Sequence, residues 1–216
     1  RPIIKYSAFD ELFNISGKGT KENPYKISSV SEFKIFADIV NNKDNKNYNT
    51  EACAKLTDDF ECTDTIESLK SYSGTFDGNK HKIILRGKPL IENASGNITI
   101  KNLMLAGTVI GENNAAAFIG YTDADTTDTI SIENCANLAS VKAVNDNSAG
   151  FVGLINGGDT LNLSNSYNYG SVVSMGGNAD PLANTDTNAT ADYKNCYYLK
   201  DGTKANGTVK NPNTAT

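Results

Sequence analysis

Between residues 98 and 199 apolar and polar positions alternate in short bursts, and the bursts return at a nearly constant interval. Ile98 and Ile100 flank Thr99, Ile130 and Ile132 flank Ser131, and Leu161 and Leu163 flank Asn162. Alternation of period two with β-branched residues predicts a strand with one buried face. Each burst opens a shared phrase: IKNLMLAGTV at Ile100–Val109, IENCANLASV at Ile132–Val141 and LSNSYNYGSV at Leu163–Val172, with a decayed copy, YKNCYYL, from Tyr193. Measured on Asn102, Asn134, Asn165 and Asn195, the spacings are 32, 31 and 30 residues. A fixed period in this range marks a repeat architecture.

A second short strand follows in each repeat, at Thr108-Val109-Ile110, Ser140-Val141 and Ser171-Val172-Val173. A third apolar run closes two of them, at Ala116–Gly120 and Ala149–Gly153. No repeat contains a helix-period run. Three short strands per repeat, with Gly, Asn and Asp between them, predict an all-β fold: a right-handed parallel β-helix (β-solenoid). The hand follows the rule for parallel crossovers. Ile98, Ile100, Ile130, Ile132, Leu161 and Leu163 should point inward. The recurring Asn either forms a structural ladder at a left-handed corner or a row that meets a ligand. The corner is favoured, because Asn falls where each coil must bend.

Upstream, Ser28-Ser29 offers an N-cap and Glu32 an acidic first turn,. Val30, Phe33, Phe36, Ala37 and Val40 then share one helical face. This predicts an N-terminal capping α-helix over about 30–41, covering the open end of the solenoid, because bare ends invite aggregation. A partner-binding helix is the alternative. The expected organisation is a lead-in with the capping helix over 1–50 and a solenoid over 51–200. Its repeats lie near 98–120, 130–153, 161–174 and 191–199, and a flexible tail or linker covers 201–216. Ala54–Glu61 reads as a strand, and Lys82–Leu85 as the first clear solenoid strand. The third repeat is polar over Asn178–Asn188, so the last coil should be less regular.

Four segments resemble GLUG-type repeats of bacterial surface proteins, including adhesin-like and IgA-protease-type polypeptides. Ala117-Phe118-Ile119-Gly120 and Gly150-Phe151-Val152-Gly153 resemble their Gly-Leu-Phe/Val-Gly element. Gly74-Thr75-Phe76-Asp77-Gly78-Asn79-Lys80-His81-Lys82-Ile83 and Gly19-Thr20-Lys21-Glu22-Asn23-Pro24-Tyr25-Lys26-Ile27 resemble the phrases that precede it. Ala117 departs from the pattern, which has Gly there. The resemblance spans about 17–199. It implies a cell-surface or secreted β-helix and carries no catalytic motif.

Composition narrows the function further. The net charge is −5 and the 20 Lys and Arg are scattered, which argues against nucleic acid, whose affinity rests on phosphate neutralisation. No run approaches the ~20 apolar residues of a membrane span. The chain opens at Arg1 without a signal sequence, so the expectation is a monomeric piece of a larger protein whose anchor lies elsewhere. Extracellular proteins or glycans are the expected partners.

Candidate chemistry is sparse. Asp58, Asp59, Glu61 and Asp64 form the densest acidic group; calcium is the cation such oxygens would suit, but the spacing fits no EF-hand, and a solvated strand end is the plainer reading. No other cofactor is indicated. The lone His81 has no nucleophile motif to serve. Of the outward positions, Glu133 is the central carboxylate; Asp123, Asp125 and Asp128 lie on a neighbouring turn. Tyr167, Tyr169, Tyr197 and Tyr198 cluster near the C-terminal end, either as a sugar platform or as closure of the last coil. Two functions follow: a non-catalytic stalk or adhesive module, and a carbohydrate-active β-helix that cleaves or binds glycan.

Four Cys occur without a CxxC. Cys135 and Cys196 share a repeat position with Ser166 between them. At ~4.8 Å per coil they are ~9.6 Å apart, beyond the ~7 Å a disulfide spans. Cys53 and Cys62 flank an extended segment. Four free, buried thiols are expected.

Overall fold

The computed structural model of the protein describes residues 15–124 and 126–209. The lead-in clusters Ile3-Ile4 and Phe9/Leu12/Phe13, and the expected tail beyond residue 209, lie outside the described residues.

Parallel pairing between successive coils organises the chain into an all-β solenoid of about six turns, with one helix, α1 (Val30–Asn41), near its start. The first sheet stacks Tyr25–Ile27, Ala54–Leu56, Thr75–Asp77, Ile98–Lys101, Thr129–Glu133, Thr160–Ser164 and Thr190–Lys194 in that order. Its register puts Ile98, Ile130, Leu161 and Ala191 in one column and Phe76, Ile100, Ile132, Leu163 and Tyr193 in another. The six aliphatic residues expected to point inward are at most 2% exposed. One sequence repeat is therefore one coil.

The second sheet carries Phe60–Glu61, Lys82–Gly87 and Met104–Gly111, and then splits into two short strands per coil, as in Ala136–Asn137 and Ser140–Ala143. The third pairs Ile91–Ala94, Ile119–Thr122, Val152–Ile155 and Ala183–Thr185. A short fourth side, Ser148–Ala149 with Ala179–Asp180 and a bridge to Ala115, belongs to the later coils.

That fourth side explains where the repeat becomes visible. Matched first-sheet positions Tyr25, Ala54, Phe76 and Ile100 are 29, 22 and 24 residues apart. From Ile100 to Tyr193 the steps are 32, 31 and 30. The short early coils lack the phrase but pair all the same, so the ladder already starts at Tyr25. It also runs past residue 200, with Thr203–Ala205 on Val172–Ser174 and Val209 bridged to Ala179. Ala54–Glu61 is two strands, Ala54–Leu56 and Phe60–Glu61, because the chain turns from first to second sheet between them.

The corner after each long first-sheet strand is an asparagine. Asn102, Asn134, Asn165 and Asn195 have φ of 53°, 53°, 47° and 53°, the left-handed region that Asn tolerates better than other side chains. The Phe of each closing motif faces the core: Phe118 and Phe151 stack with centroids 4.9 Å apart. The Gly that follows has no room for a side chain, since a Cβ on Gly153 would lie 2.1 Å from the Asn114 carbonyl oxygen. The third coil closes despite its polar sequence. Leu182 continues the phenylalanine row, and buried Asp180 accepts the N–H groups of Leu182 (2.7 Å) and Ala183 (3.0 Å).

Helix α1 is capped as its sequence predicts. Ser29 Oγ accepts the Glu32 N–H, and Glu32 Oε2 accepts the N–H and Oγ–H of Ser28. Its buried face, Phe33, Phe36, Ala37, Ile39 and Val40, plugs the first coil. The Phe36 ring lies 6.2, 6.1 and 6.2 Å from those of Tyr25, Tyr72 and Phe76. At the other end Tyr193 and Tyr198 turn inward and pack, half-buried, against the core.

Replacing Ile132 by Ala should cost about 2–5 kcal/mol as a core cavity, whereas Glu133→Ala should stay within ~0.5 kcal/mol. Urea titration of both variants checks this, and equal costs would contradict the face assignment.

Candidate functional site

The outer face of the second sheet holds the most distinctive surface. One outward column reads Lys82, Met104, Ala136, Tyr167, Tyr197. Leu138, Tyr169 and Leu199 occupy the equivalent position two residues on, each N–H bonded to the coil before. Tyr167, Tyr169 and Tyr197 are 42%, 62% and 58% exposed, and Leu138 and Leu199 about as open as Tyr167. Single exposed apolar residues are ordinary, but a contiguous set marks a contact surface. The four tyrosines thus part company: three face solvent, while Tyr198 lies in the inward column and helps close the coil.

Beside this face runs a groove of about 430 Å³ along the asparagine corner, reaching from Lys80 to Tyr167. Its floor is Cys135 and Ala136, the latter only 4% exposed. The corner amides above it are partly laddered. Asn102 Nδ2 donates to Asp77 Oδ1 (3.0 Å), Asn134 Nδ2 to Asn102 Oδ1 (3.4 Å) and Asn195 Nδ2 to Asn165 Oδ1 (3.0 Å).

A second amide ladder went unread in the sequence. Asn137 and Asn168 are buried in the column that begins Phe60, Ile83, Leu105. Asn137 Nδ2 donates to Asn168 Oδ1 (2.8 Å), Asn168 Nδ2 to the Pro181 carbonyl (2.9 Å), and the two Oδ1 atoms accept the N–H groups of Ala139 and Gly170. Every amide is paired, as buried polar groups must be. The one signal was the second Asn in ENCANLASV and SNSYNYGSV.

The acidic group is dispersed among basic partners. Asp59 Oδ1 meets His81 Nδ1 (3.1 Å) and the Lys82 N–H (3.0 Å). The Lys82 N–H, with His81 beside it, draws the Asp59 carboxyl below its usual range. Glu61 pairs with Arg86 at 2.8 Å and Asp64 with Lys34 at 3.9 Å, while Asp58 accepts the Asp59 N–H. Among the described residues no three His, Cys, Asp or Glu side chains are grouped to hold a metal ion.

The outer column of the first sheet reads Lys26, Lys55, Asp77, Lys101, Glu133, Ser164, Lys194. Glu133 has Lys101 on one side and Ser164 on the other; Asp77 stands beyond Lys101. Asp77 Oδ1 is engaged by the Asn79 N–H and Asn102 Nδ2. The turn carboxylates tie coils together: Asp123 accepts Asn93 Nδ2, Asp128 the Gly96 N–H, and buried Asp159 the Asp128 N–H. Asp125 lies outside the described residues.

All four cysteines are free and buried. Ser166 sits between the coils of Cys135 and Cys196, its Oγ accepting the Cys135 N–H. Burial pushes the Cys135 thiol up to about 12 and that of Cys62 to about 11, and raises Cys196 as well.

No protein-family model matches the chain, and no curated protein matches it. Its fold is similar to the crystal structure of a "putative immunoglobulin A1 protease" from Bacteroides ovatus, with a TM-score of 0.57 at 17% identity, covering 90% of this chain and 86% of that one. At that identity the likeness is one of fold. No helix among the described residues is long and apolar enough to cross a membrane.

Alkylation without reductant should count four thiols after denaturation, with Cys62, Cys135 and Cys196 unlabelled in the native protein at pH 8. A thiol held at about 12 when folded, against 9.0 for the ordinary group, keeps its proton where the unfolded chain has lost it. Stability should therefore fall as pH rises from about 9 toward 12. Urea midpoints across that range should fall less steeply in Cys135→Ala.

Proposed function

We propose that the chain is a non-catalytic module of an extracellular or cell-surface bacterial protein, acting as a stalk or adhesive segment. The observation that carries this reading is the state of the outward carboxylates. Glycoside hydrolysis uses two carboxyls ~5–9.5 Å apart. Along the Glu133 column the next carboxylate is Asp77, two coils away or ~9.6 Å, with Lys101 between and its oxygen committed to the turn at Asn79. Asp123, Asp128 and Asp159 are occupied in holding coils together. A rigid stack of coils with its chemistry spent on its own cohesion suits a spacer that presents a surface. The resemblance of the Phe118 and Phe151 motifs to surface-protein repeats supports the location, and so does the likeness in fold to the Bacteroides protein.

The exposed tyrosines favour a second reading in its binding form, a module that holds glycan without cutting it. Incubation with a panel of neutral and acidic polysaccharides should release no reducing ends and no unsaturated products above blank. Turnover that disappears in Glu133→Gln or Asp77→Asn would reverse the assignment and make the chain an enzyme.

A further inference from the structure

The asparagine ladder along the corner is broken at one step, and the groove lies against the break. The steps from Asn102 to Asn134 and from Asn165 to Asn195 are closed by amide hydrogen bonds of 3.4 and 3.0 Å. Between Asn134 and Asn165 there is none among the described residues. Asn134 Oδ1 and Asn165 Nδ2 are left facing solvent, an acceptor and a donor on adjacent coils.

The adjoining outward column is notched at the same level. Met104, Ala136 and Tyr167 are consecutive members. Met104 and Tyr167 stand two coils apart, ~9.6 Å at ~4.8 Å per coil. Ala136 between them has only a methyl group to fill the gap. The groove of about 430 Å³ is the result. Tyr197 follows Tyr167 one coil on, 58% exposed.

Three features select the occupant. The lining carries no carboxylate, and its charged residue, Lys80, stands at the far end, so the notch is not built around an ion. The strands under the groove itself are paired to the coils on both sides, so no strand edge opens into it for a peptide to add to the sheet. What remains is an amide acceptor, an amide donor and aromatic rings at coil spacing. That set complements adjacent hydroxyls of a neutral sugar whose apolar face lies on a ring.

We propose that this groove binds a neutral, hydroxyl-rich glycan chain running along the solenoid axis. Asn134 Oδ1 accepts from one hydroxyl, Asn165 Nδ2 donates to its neighbour, and Tyr167 and Tyr197 carry successive sugars. The proposal rests on the binding-module reading above and gives that module its ligand class.

Calorimetric titration of the full chain with cellohexaose, xylohexaose and mannohexaose tests it, with hexagalacturonate as the charged comparison. At least one neutral hexasaccharide should bind with Kd of ~0.1–1 mM. Binding should shift the side-chain amide signals of Asn134 and Asn165 in ¹⁵N-resolved NMR. Tyr167→Ala should weaken it by about tenfold or more, and Ala136→Leu, which fills the notch, by a similar factor. Tyr48→Ala, at an exposed tyrosine elsewhere, should leave it unchanged. If Ala136→Leu does not fold, Tyr167→Ala decides, since its side chain is outside the core. No binding by any of the three, binding unaltered in Tyr167→Ala, or tighter binding of hexagalacturonate would overturn the proposal. Loss of binding without turnover sinks the groove and leaves the module reading intact; turnover of a hexasaccharide sinks the module reading itself.

Discussion

Everything in this molecule answers to the stacking of each inward residue on its counterpart one coil away, ~4.8 Å off. A side chain in such a column touches the same position of its neighbours, so a column behaves as a unit. Aliphatic columns satisfy this with little specificity, as Ile100, Ile132 and Leu163 do. Aromatic rings satisfy it by stacking, as Phe118 and Phe151 do. A buried polar residue can find its partner in nearby backbone, as Ser174 does between Ala143 and Ala205 by donating to the Asp146 carbonyl, or in its counterpart one coil away. Asn137 and Asn168 share one amide hydrogen bond inside the core, and truncating Asn168 would take from Asn137 Nδ2 its 2.8 Å acceptor,.

The same rule makes the ends the difficult places, because the first and last coils have a counterpart on one side only. At the start the column passes to a helix. Phe36 inserts among Tyr25, Tyr72 and Phe76, and its edge-on contacts replace those of a missing coil. At the other end the aliphatic pattern gives way to Tyr193 and Tyr198, which pack partly buried against the last coil. Tyr193 donates to the Ala183 carbonyl at 3.4 Å, and burial raises its phenol well above the usual range. Small parallel stacks without such ends would expose unpaired strand edges.

Much of this was legible in the chain itself. The inward columns, the one-repeat-one-coil register, the left-handed asparagine corner, the capped helix and the unpaired thiols all follow from local pattern and spacing. The rest required partners that sequence distance hides. The two coils between Ala54 and Ile100 were invisible as repeats because they are about eight residues shorter and lack the fourth side. The acidic group at Asp58–Asp64 looked like a cluster because its partners, Lys34, His81 and Arg86, come from before it and from the next coil. Tyr197 and Tyr198 are neighbours in sequence, so a strand sends them to opposite faces, Tyr197 outward and Tyr198 toward the core.

Why binding chemistry should gather on the second sheet rather than the first is then a question of what each outer column contains. On the first sheet Asp77, Lys101 and Glu133 alternate in sign at coil spacing. Each charge is compensated by its neighbour, and a neutral ligand would have to displace water from all of them. On the second sheet the corresponding column is Met104, Ala136, Tyr167 and Tyr197, whose hydration is cheap to remove. The corner asparagines border that column, held in place by a backbone geometry the fold needs in any case. Their amides are pre-oriented at no further entropic cost, and where the ladder is interrupted a structural device becomes a recognition element.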